Sequence, residues 1–213
     1  MIETILKENW IDYRTDLAPI DRRMRILDDV RGMSTENIRF LFNEIVKRIG
    51  GTYLEVGIWR GCSLLSAALW NSARCIGIDN FSEFNYGPDG KFDERPEEEL
   101  KKNLARFPVE NTEWYKGDYR EVIKNLKDLR VDVYFYDGNH SYENQTEGLR
   151  IMLPYLSKEC VIIVDDINWE QVERANNDFI KENPFKSVLK IKTEGNQSKG
   201  WWNGIEILTN AKS

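Results

Sequence analysis

Apolar positions in this chain recur with two periods, and the switches between them mark out the elements. From Ser34 to Ile49, Ile38, Leu41, Phe42, Ile45, Val46 and Ile49 fall at three- and four-residue intervals, the pattern of an amphipathic helix. Ser34 is placed to cap that helix and Gly50-Gly51 to stop it. Residues 52–70, TYLEVGIWRGCSLLSAALW, then read as a strand through Tyr53, Leu54 and Val56, a turn bounded by Gly57 and Gly61, and a helix carrying Leu64, Leu65 and Leu69. Ser63 is a candidate cap for this second helix.

The alternation continues. Cys75, Ile76 and Ile78 form a short strand ending at Asp79, and Pro96 opens a helix through Leu100 and Leu104, with Glu97 to Glu99 in its first turn. Thr112 to Lys116 is a third strand, followed by Gly117-Asp118 and a helix using Val122, Ile123 and Leu126. Val131, Val133 and Phe135 alternate toward Asp137, and Ser141 can cap the next helix, which Pro154 interrupts. CVIIVDDINW is an apolar strand ending at Asp165-Asp166, before a helix with Val172, Ala175, Phe179 and Ile180. SVLKIKT and GIEILT, joined by EGNQSKGWWN, read as an antiparallel pair. The expected fold is α/β: a Rossmann-like, doubly wound, mainly parallel sheet of six or seven strands with an antiparallel C-terminal hairpin and helices on both faces.

The N-terminal residues 1–33 carry only scattered apolar positions, among them Ile5, Leu6, Trp10 and Ile11, which suits short helices outside the sheet. Near an active site they would serve as a lid or as a dimer contact in a homo-oligomer. A chain of 213 residues with no linker or low-complexity block reads as one domain, 1–213, with N-terminal helices over 1–50 and the core over 51–213. A net charge of -6 supplies no global basic field, which argues against nucleic acid as a partner. Cys62, Cys75 and Cys160 are odd in number and lack metal spacing, so they are expected to be reduced core thiols. No apolar run reaches the roughly 20 residues that span a bilayer, and MIETILKENW lacks a signal-peptide core. A cytoplasmic protein that does not enter a membrane is expected.

Candidate chemistry gathers at the predicted strand ends. The first turn is G-x-x-x-G, with Glu55 two positions before Gly57. A pyrophosphate seeks backbone N–H groups with no carboxylate nearby, so Glu55 disfavours a dinucleotide and favours a cofactor with a cationic end, such as S-adenosylmethionine. A solvated Glu in an ordinary turn is the competing reading. Asp79, at the next strand end, suits ribose hydroxyls, or is a turn residue. Asp118 either caps its helix or faces adenine. Phe81, Phe84, Tyr86 and Phe92 occupy a long loop over 81–95, where they would cover adenine, line an acceptor pocket or anchor the loop. His140, the only histidine, follows Asp137 by three residues, a position suited to proton transfer. Asp137, Asp165 and Asp166 bring three carboxylates to two strand ends, and such an all-oxygen set suits Mg²⁺. The alternative for Asp166 is that it caps the following helix. Trp201 and Trp202 either border an acceptor pocket or pack at the sheet edge.

YLEVGIWRGCS, CIGIDNF, YFYDGNHSY and VIIVDD, in this order and on these elements, resemble the class I S-adenosylmethionine-dependent methyltransferases, in particular the small macrocin- and catechol-type metal-dependent O-methyltransferases. The resemblance covers roughly residues 50 to 170. It implies a seven-stranded sheet whose seventh strand is antiparallel. It places Glu55, Gly57 and Gly61 at the methionine part of the cofactor, with Ser63 beside them. Asp79 with Asn80 and Phe81 falls at the ribose, Asp118 at the adenine region, and Asp137, Asp165 and Asp166 at Mg²⁺. Asp137 would also border the cofactor. From its position three residues after Asp137, and not from the resemblance, His140 is expected to be the base acting on a small-molecule hydroxyl acceptor, with Asp137 as the second catalytic residue. The chain departs from the catechol type at His140, where those enzymes have lysine, and at Asp166, where they have asparagine. Two other readings stay open: another enzyme on the same nucleotide-binding fold, such as a dehydrogenase, and a non-catalytic S-adenosylmethionine-binding protein.

Overall fold

Seven strands hydrogen-bond into one sheet in the order β3-β2-β1-β4-β5-β7-β6 in the computed structural model, which describes residues 1–9, 11–82, 95–107 and 109–210. The strands are β1 (Thr52–Val56), β2 (Arg74–Asp79), β3 (Thr112–Lys116), β4 (Val131–Tyr136), β5 (Leu156–Asp165), β6 (Lys186–Ile191) and β7 (Ile205–Thr209). β1 pairs in parallel with β2 and β4, β2 with β3, and β4 with β5, whereas β7 runs antiparallel to both β5 and β6. The seventh strand thus enters between the fifth and sixth with reversed polarity, as the resemblance implied. Trp10, Phe84, Tyr86 and Phe92 lie outside the described residues.

Period-two alternation splits the core into two layers. On one face Tyr53, Phe135, Ile163 and Ile207 pack under α1 (Ile2–Glu8), α2 (Glu36–Ile49) and α3 (Cys62–Ala68). On the other, Leu54, Tyr134, Ile162 and Leu208 pack under α5 (Tyr119–Asn125), α6 (Tyr142–Met152) and α7 (Glu170–Glu182). α4 (Pro96–Arg106) adds Leu100 to the first layer. The apolar stripe of α2 is fully buried through Leu41, Ile45 and Val46, each worth about 1.5–3 kcal/mol relative to exposure. Ile2, Ile5 and Leu6 of α1, and Met24 and Leu27 of a 3₁₀ turn over Arg23–Leu27, join that layer.

Two caps differ from expectation. Thr35, not Ser34, caps α2: its hydroxyl accepts from Ile38 N at 3.4 Å and donates to Gly200 O at 2.6 Å. Ser34 lies one residue too early and its hydroxyl instead meets Cys62 Sγ at 3.6 Å. α3 begins at Cys62 behind Gly61, so Ser63 already sits in the first turn and its hydroxyl turns to Glu55. Ser141 does cap α6, Asp118 caps α5, and Pro154 falls in a 3₁₀ turn directly after α6. The three cysteines are free and buried, and burial pushes the Cys75 and Cys160 thiols up to about 12, which leaves them inert at neutral pH. Among the described residues no helix is long and apolar enough to cross a membrane.

Candidate active site

The strand order reverses between β1 and β4, and this switch point opens a crevice at the strand C-termini. Gly57 closes its floor. Its N–H donates to Ile78 O at 2.9 Å, and with φ at +92° a Cβ there would stand 2.0 Å from Asp137 O. Only glycine allows the β1 and β4 ends to approach so closely. Asp79 then braces the turn: its Oδ2 accepts from Trp59 N and its Oδ1 from Phe81 N, each at 2.7 Å. The first of these bonds holds Trp59 at φ +42°, a left-handed conformation that a bulky residue rarely adopts. Because each carboxylate oxygen has two lone pairs, Asp79 can hold the turn and still accept from ligand hydroxyls.

Glu55 lies beneath this turn and is completely buried. Its carboxyl accepts from Tyr53 Oη at 2.8 Å and pairs with the Ser63 hydroxyl. Burial, which the two hydroxyl donors only partly offset, pushes Glu55 up to about 8. The solvated-Glu reading is thereby excluded.

Above the turn lies a cavity of about 300 Å³, within the usual size of a small-molecule site. It is lined by Asp79, Asn80, Asp118, Tyr119 and Arg120, and also by Met33, Trp169, Gln197, Trp202 and Asn203. Asp137, His140, Asp165 and Asp166 line it at and just beyond the C-terminal ends of β4 and β5. His140 Nε2 is 3.4 Å from Asp137 Oδ1 and 3.3 Å from Asp166 Oδ2, and the ring meets Trp169 edge-on at 5.1 Å. Asp166 Oδ1 accepts from Asn203 Nδ2 at 2.7 Å, and Asp165 Oδ1 accepts from Asp166 N at 2.9 Å. Asp166 stands at φ +56° and does not cap α7, whose N-cap position is Trp169.

The electrostatics follow from this enclosure. Burial raises Asp137, Asp165 and Asp166 above the usual carboxylate range, and mutual repulsion adds to the rise for Asp137 and Asp165. Burial alone would lower His140, but the flanking Asp137 and Asp166 outweigh it and hold the imidazole above its ordinary value. The donor chemistry, the buried carboxylates of Asp165 and Asp166 beside the partly exposed one of Asp137, suits a hard cation such as Mg²⁺. In the present side-chain positions, no group of three or more His, Cys, Asp and Glu among the described residues converges well enough to hold a metal ion. His140 Nε2 is the group that Asp137 and Asp166 now face.

Residues 54–167, more than half of the chain, match a family described as a methyltransferase domain. The chain belongs to this methyltransferase family. Its region of likeness runs from β1 past the end of β5, so it takes in the glycine turn, Asp79, and the carboxylates with His140.

Curated relatives of the chain include an uncharacterised protein of Acanthamoeba polyphaga mimivirus, 29% identical over 153 residues. A second, named a probable cobalt-precorrin-6B C(15)-methyltransferase (decarboxylating) of Methanococcus vannielii, is 28% identical over 137 residues. These matches cover 63% and 64% of this chain, and they span 64% and 61% of the relatives' own lengths, just under two thirds. Among solved structures, the O-methyltransferase TomG of Streptomyces achromogenes, determined with SAM, superposes with a TM-score of 0.62. It is 17% identical, over 88% of this chain and 86% of that one, which is a likeness of fold.

The methyltransferase fold gathers most of the residues singled out by sequence. Gly57, Asp79, Asn80, Asp118, Asp137, His140, Asp165 and Asp166 all line the cavity of about 300 Å³. Ser63 lines a smaller cavity of about 40 Å³ that shares Gly57, Asp137 and Asp165 with it. Glu55, Gly61 and Phe81 line neither. Trp202 lines the 300 Å³ cavity, whereas Trp201 is buried in the core. Sequence reasoning missed Met33, Trp169, Gln197 and Asn203, which reach the cavity from segments distant in the chain and carry no local motif.

Proposed function

We propose that this methyltransferase transfers a methyl group from S-adenosylmethionine to a hydroxyl of a small-molecule acceptor. The observation that carries this reading is His140 Nε2, poised between Asp137 and Asp166 at the strand ends and facing the cavity built on the Gly57 turn. S-adenosylmethionine, when bound, supplies a methyl group on a positively charged sulfur.

The chain's own residues would do the rest. The Gly57–Gly61 turn admits the methionine portion because no Cβ intrudes, and Glu55 beneath it offers a carboxyl that a nearby cationic group would help to ionise. Asp79 accepts from the ribose hydroxyls, and Asp118 and Tyr119 border the adenine end. Met33, Trp169 and Trp202 exclude water and hold the acceptor; such alignment is worth several kcal/mol of the barrier. His140 Nε2 takes the acceptor's proton, and Asp137 and Asp166 stabilise the imidazolium so formed. Asp137, Asp165 and Asp166 are the residues that would hold Mg²⁺, whose positive charge would lower the pKa of the acceptor hydroxyl.

Calorimetry with S-adenosylhomocysteine and with NAD, each with and without Mg²⁺, tests the reading. Binding of S-adenosylhomocysteine is expected, tightened by Mg²⁺ only if the carboxylates take it up. Tight binding of NAD without S-adenosylhomocysteine would overturn it in favour of a dehydrogenase. Cofactor binding without turnover across a panel of phenols, sugars and small natural products would favour the non-catalytic alternative.

A further inference from the structure

Part of the cavity lining lies outside the region that matches the methyltransferase family. Residues 54–167 carry the glycine turn, Asp79 and the carboxylates, whereas Gln197, Trp202 and Asn203 come from the connection between β6 and β7. That connection is neither helix nor strand; an isolated bridge pairs Ser198 with Trp202. It nevertheless holds two bulky residues in the left-handed region, Gln197 at φ +59° and Trp202 at φ +51°, and it bonds to a third, Asp166 at φ +56°. Strained backbone of this kind persists only where the surrounding contacts over-determine it.

Asn203 is where those contacts meet. Its side chain is buried; Oδ1 accepts from Gln197 N and Nδ2 donates to Asp166 Oδ1, each at 2.7 Å, and its carbonyl accepts from Asn168 N at 3.0 Å. The two ends of the amide are not interchangeable here. A backbone N–H can only donate, so Oδ1 must face Gln197 and the NH₂ is left for the carboxyl of Asp166. The flanks of the connection are tied elsewhere. Asn168 accepts from Thr193 N at 3.0 Å and donates to Gly195 O at 3.1 Å, while Gly200 N donates to Asp16 Oδ1 at 2.9 Å and Gly200 O accepts from Thr35 Oγ1 at 2.6 Å. Gln197, between these anchors, is held through Asn203.

We propose that Asn203 is a positioning residue for the acceptor: it fixes Gln197 and Trp202 in the cavity lining and ties them to the end of β5 at Asp166. Gln197 and Trp202 then hold the acceptor at a set distance from the reacting groups, where a misplacement of about 1 Å costs roughly 10²-fold in rate. The bonds of Asn203 run to the connections that follow β5 and β6, whereas the residues assigned to the cofactor, Gly57, Asp79 and Asp118, follow β1, β2 and β3. Loss of Asn203 therefore falls on acceptor binding and spares the cofactor. The proposal deepens the methyl-transfer reading and rests on it for the purpose of the loop, while the geometry of the loop is tested without it.

Amide hydrogen exchange by NMR on the full-length, ¹⁵N-labelled protein without cofactor reads the first part. Gln197 is an exposed residue outside regular structure, yet its N–H should exchange roughly 100-fold or more slowly than an unstructured amide, because Asn203 Oδ1 takes it. In Asn203→Leu, or in Asn203→Ala should the larger side chain not fold, that protection should vanish while the Thr193 N–H, held by Asn168, keeps its own. An unprotected Gln197 N–H in the wild type overturns the proposal even if neither variant folds, and so does protection that survives the substitution. The second part is kinetic. In the same variant S-adenosylhomocysteine affinity by calorimetry should stay within about twofold of the wild type, and KM for the phenol or sugar turned over should rise about tenfold or more. A comparable loss of S-adenosylhomocysteine affinity, or an unchanged KM, would overturn the assignment to the acceptor. Failure of the methyl-transfer reading would appear elsewhere, as absent S-adenosylhomocysteine binding by a wild type whose Gln197 N–H is still protected.

Discussion

Glu55→Gln is the substitution whose consequence the structure specifies most closely. The carboxyl is wholly buried, is held by Tyr53 and Ser63, and is pushed up to about 8. In the unfolded chain the same group titrates near 4.3. Between these values the folded protein keeps a proton that the unfolded chain releases, so stability is fully present below pH ~4.3 and is lost as pH rises toward 8. A gap of roughly 3.5 pH units, at about 1.4 kcal/mol each, places the loss on the order of 4–5 kcal/mol, a large part of the ~5–15 kcal/mol that holds a typical domain. The neutral amide introduced by Glu55→Gln keeps the shape of the protonated acid and cannot ionise. Denaturant unfolding of both proteins from pH 5 to 9, without cofactor, measures the difference. The variant should gain on the wild type by about 1.4 kcal/mol per pH unit up to pH ~8, then hold a constant lead. Parallel curves for the two proteins would refute the argument, since they would mean that Glu55 ionises in place at its ordinary pH.

Other perturbations probe the site at separate points. Asp79→Ala should weaken S-adenosylhomocysteine roughly 10- to 100-fold by calorimetry, because it removes charged hydrogen bonds worth about 1.5–3 kcal/mol and unties Trp59 N and Phe81 N; unchanged affinity would remove Asp79 from the cofactor site. His140→Ala should lower kcat by about 10²- to 10⁴-fold and abolish the acidic limb of the pH profile, with S-adenosylhomocysteine affinity nearly unchanged; an unaltered profile would pass the proton to Asp137 or to solvent. A structure determined in millimolar Mg²⁺ should show the ion on Asp137, Asp165 and Asp166, with His140 displaced from between the carboxylates; no ion there, together with activity indifferent to chelator, would exclude a metal role. Gly57→Ala should cost at least about 3 kcal/mol in denaturant unfolding, since its Cβ would meet Asp137 O at 2.0 Å in a left-handed backbone; a loss under about 1 kcal/mol would contradict the close approach of β1 and β4.

Much of this protein was legible in one dimension because the relevant physics is local or periodic. Alternation along β1, β4 and β5 and the three-to-four spacing of α2 report which face each side chain buries, and burial drives folding. Glycines at 57 and 61 mark a backbone that must turn, and Asp79, Asp137, Asp165 and Asp166 fall at strand ends, the edge where ligands meet an α/β sheet. Where the reading slipped, a neighbour distant in the chain decided the outcome. Ser34 and Thr35 are near-equivalent caps on paper, but Gly200 takes the Thr35 hydroxyl and Cys62 meets that of Ser34. Ser63 looked like a cap because nothing near it in sequence shows that Glu55 lies underneath.

By itself, then, the sequence determined the order of strands and helices, the sharp turn after β1, and the chemical kinds of side chain delivered to the sheet's edge. Only the tertiary structure decided how those groups stand toward one another. It set His140 Nε2 between two carboxylates, turned Asp79 to brace the glycine loop, raised Glu55 by burying it, and brought Met33, Gln197 and Asn203 to the same cavity from opposite ends of the chain. The physical reason is one of range. Hydrophobic period and turn propensity act over a few neighbouring residues, whereas desolvation and hydrogen-bond partnership depend on what the packed fold places within a few ångströms, whatever its distance along the chain.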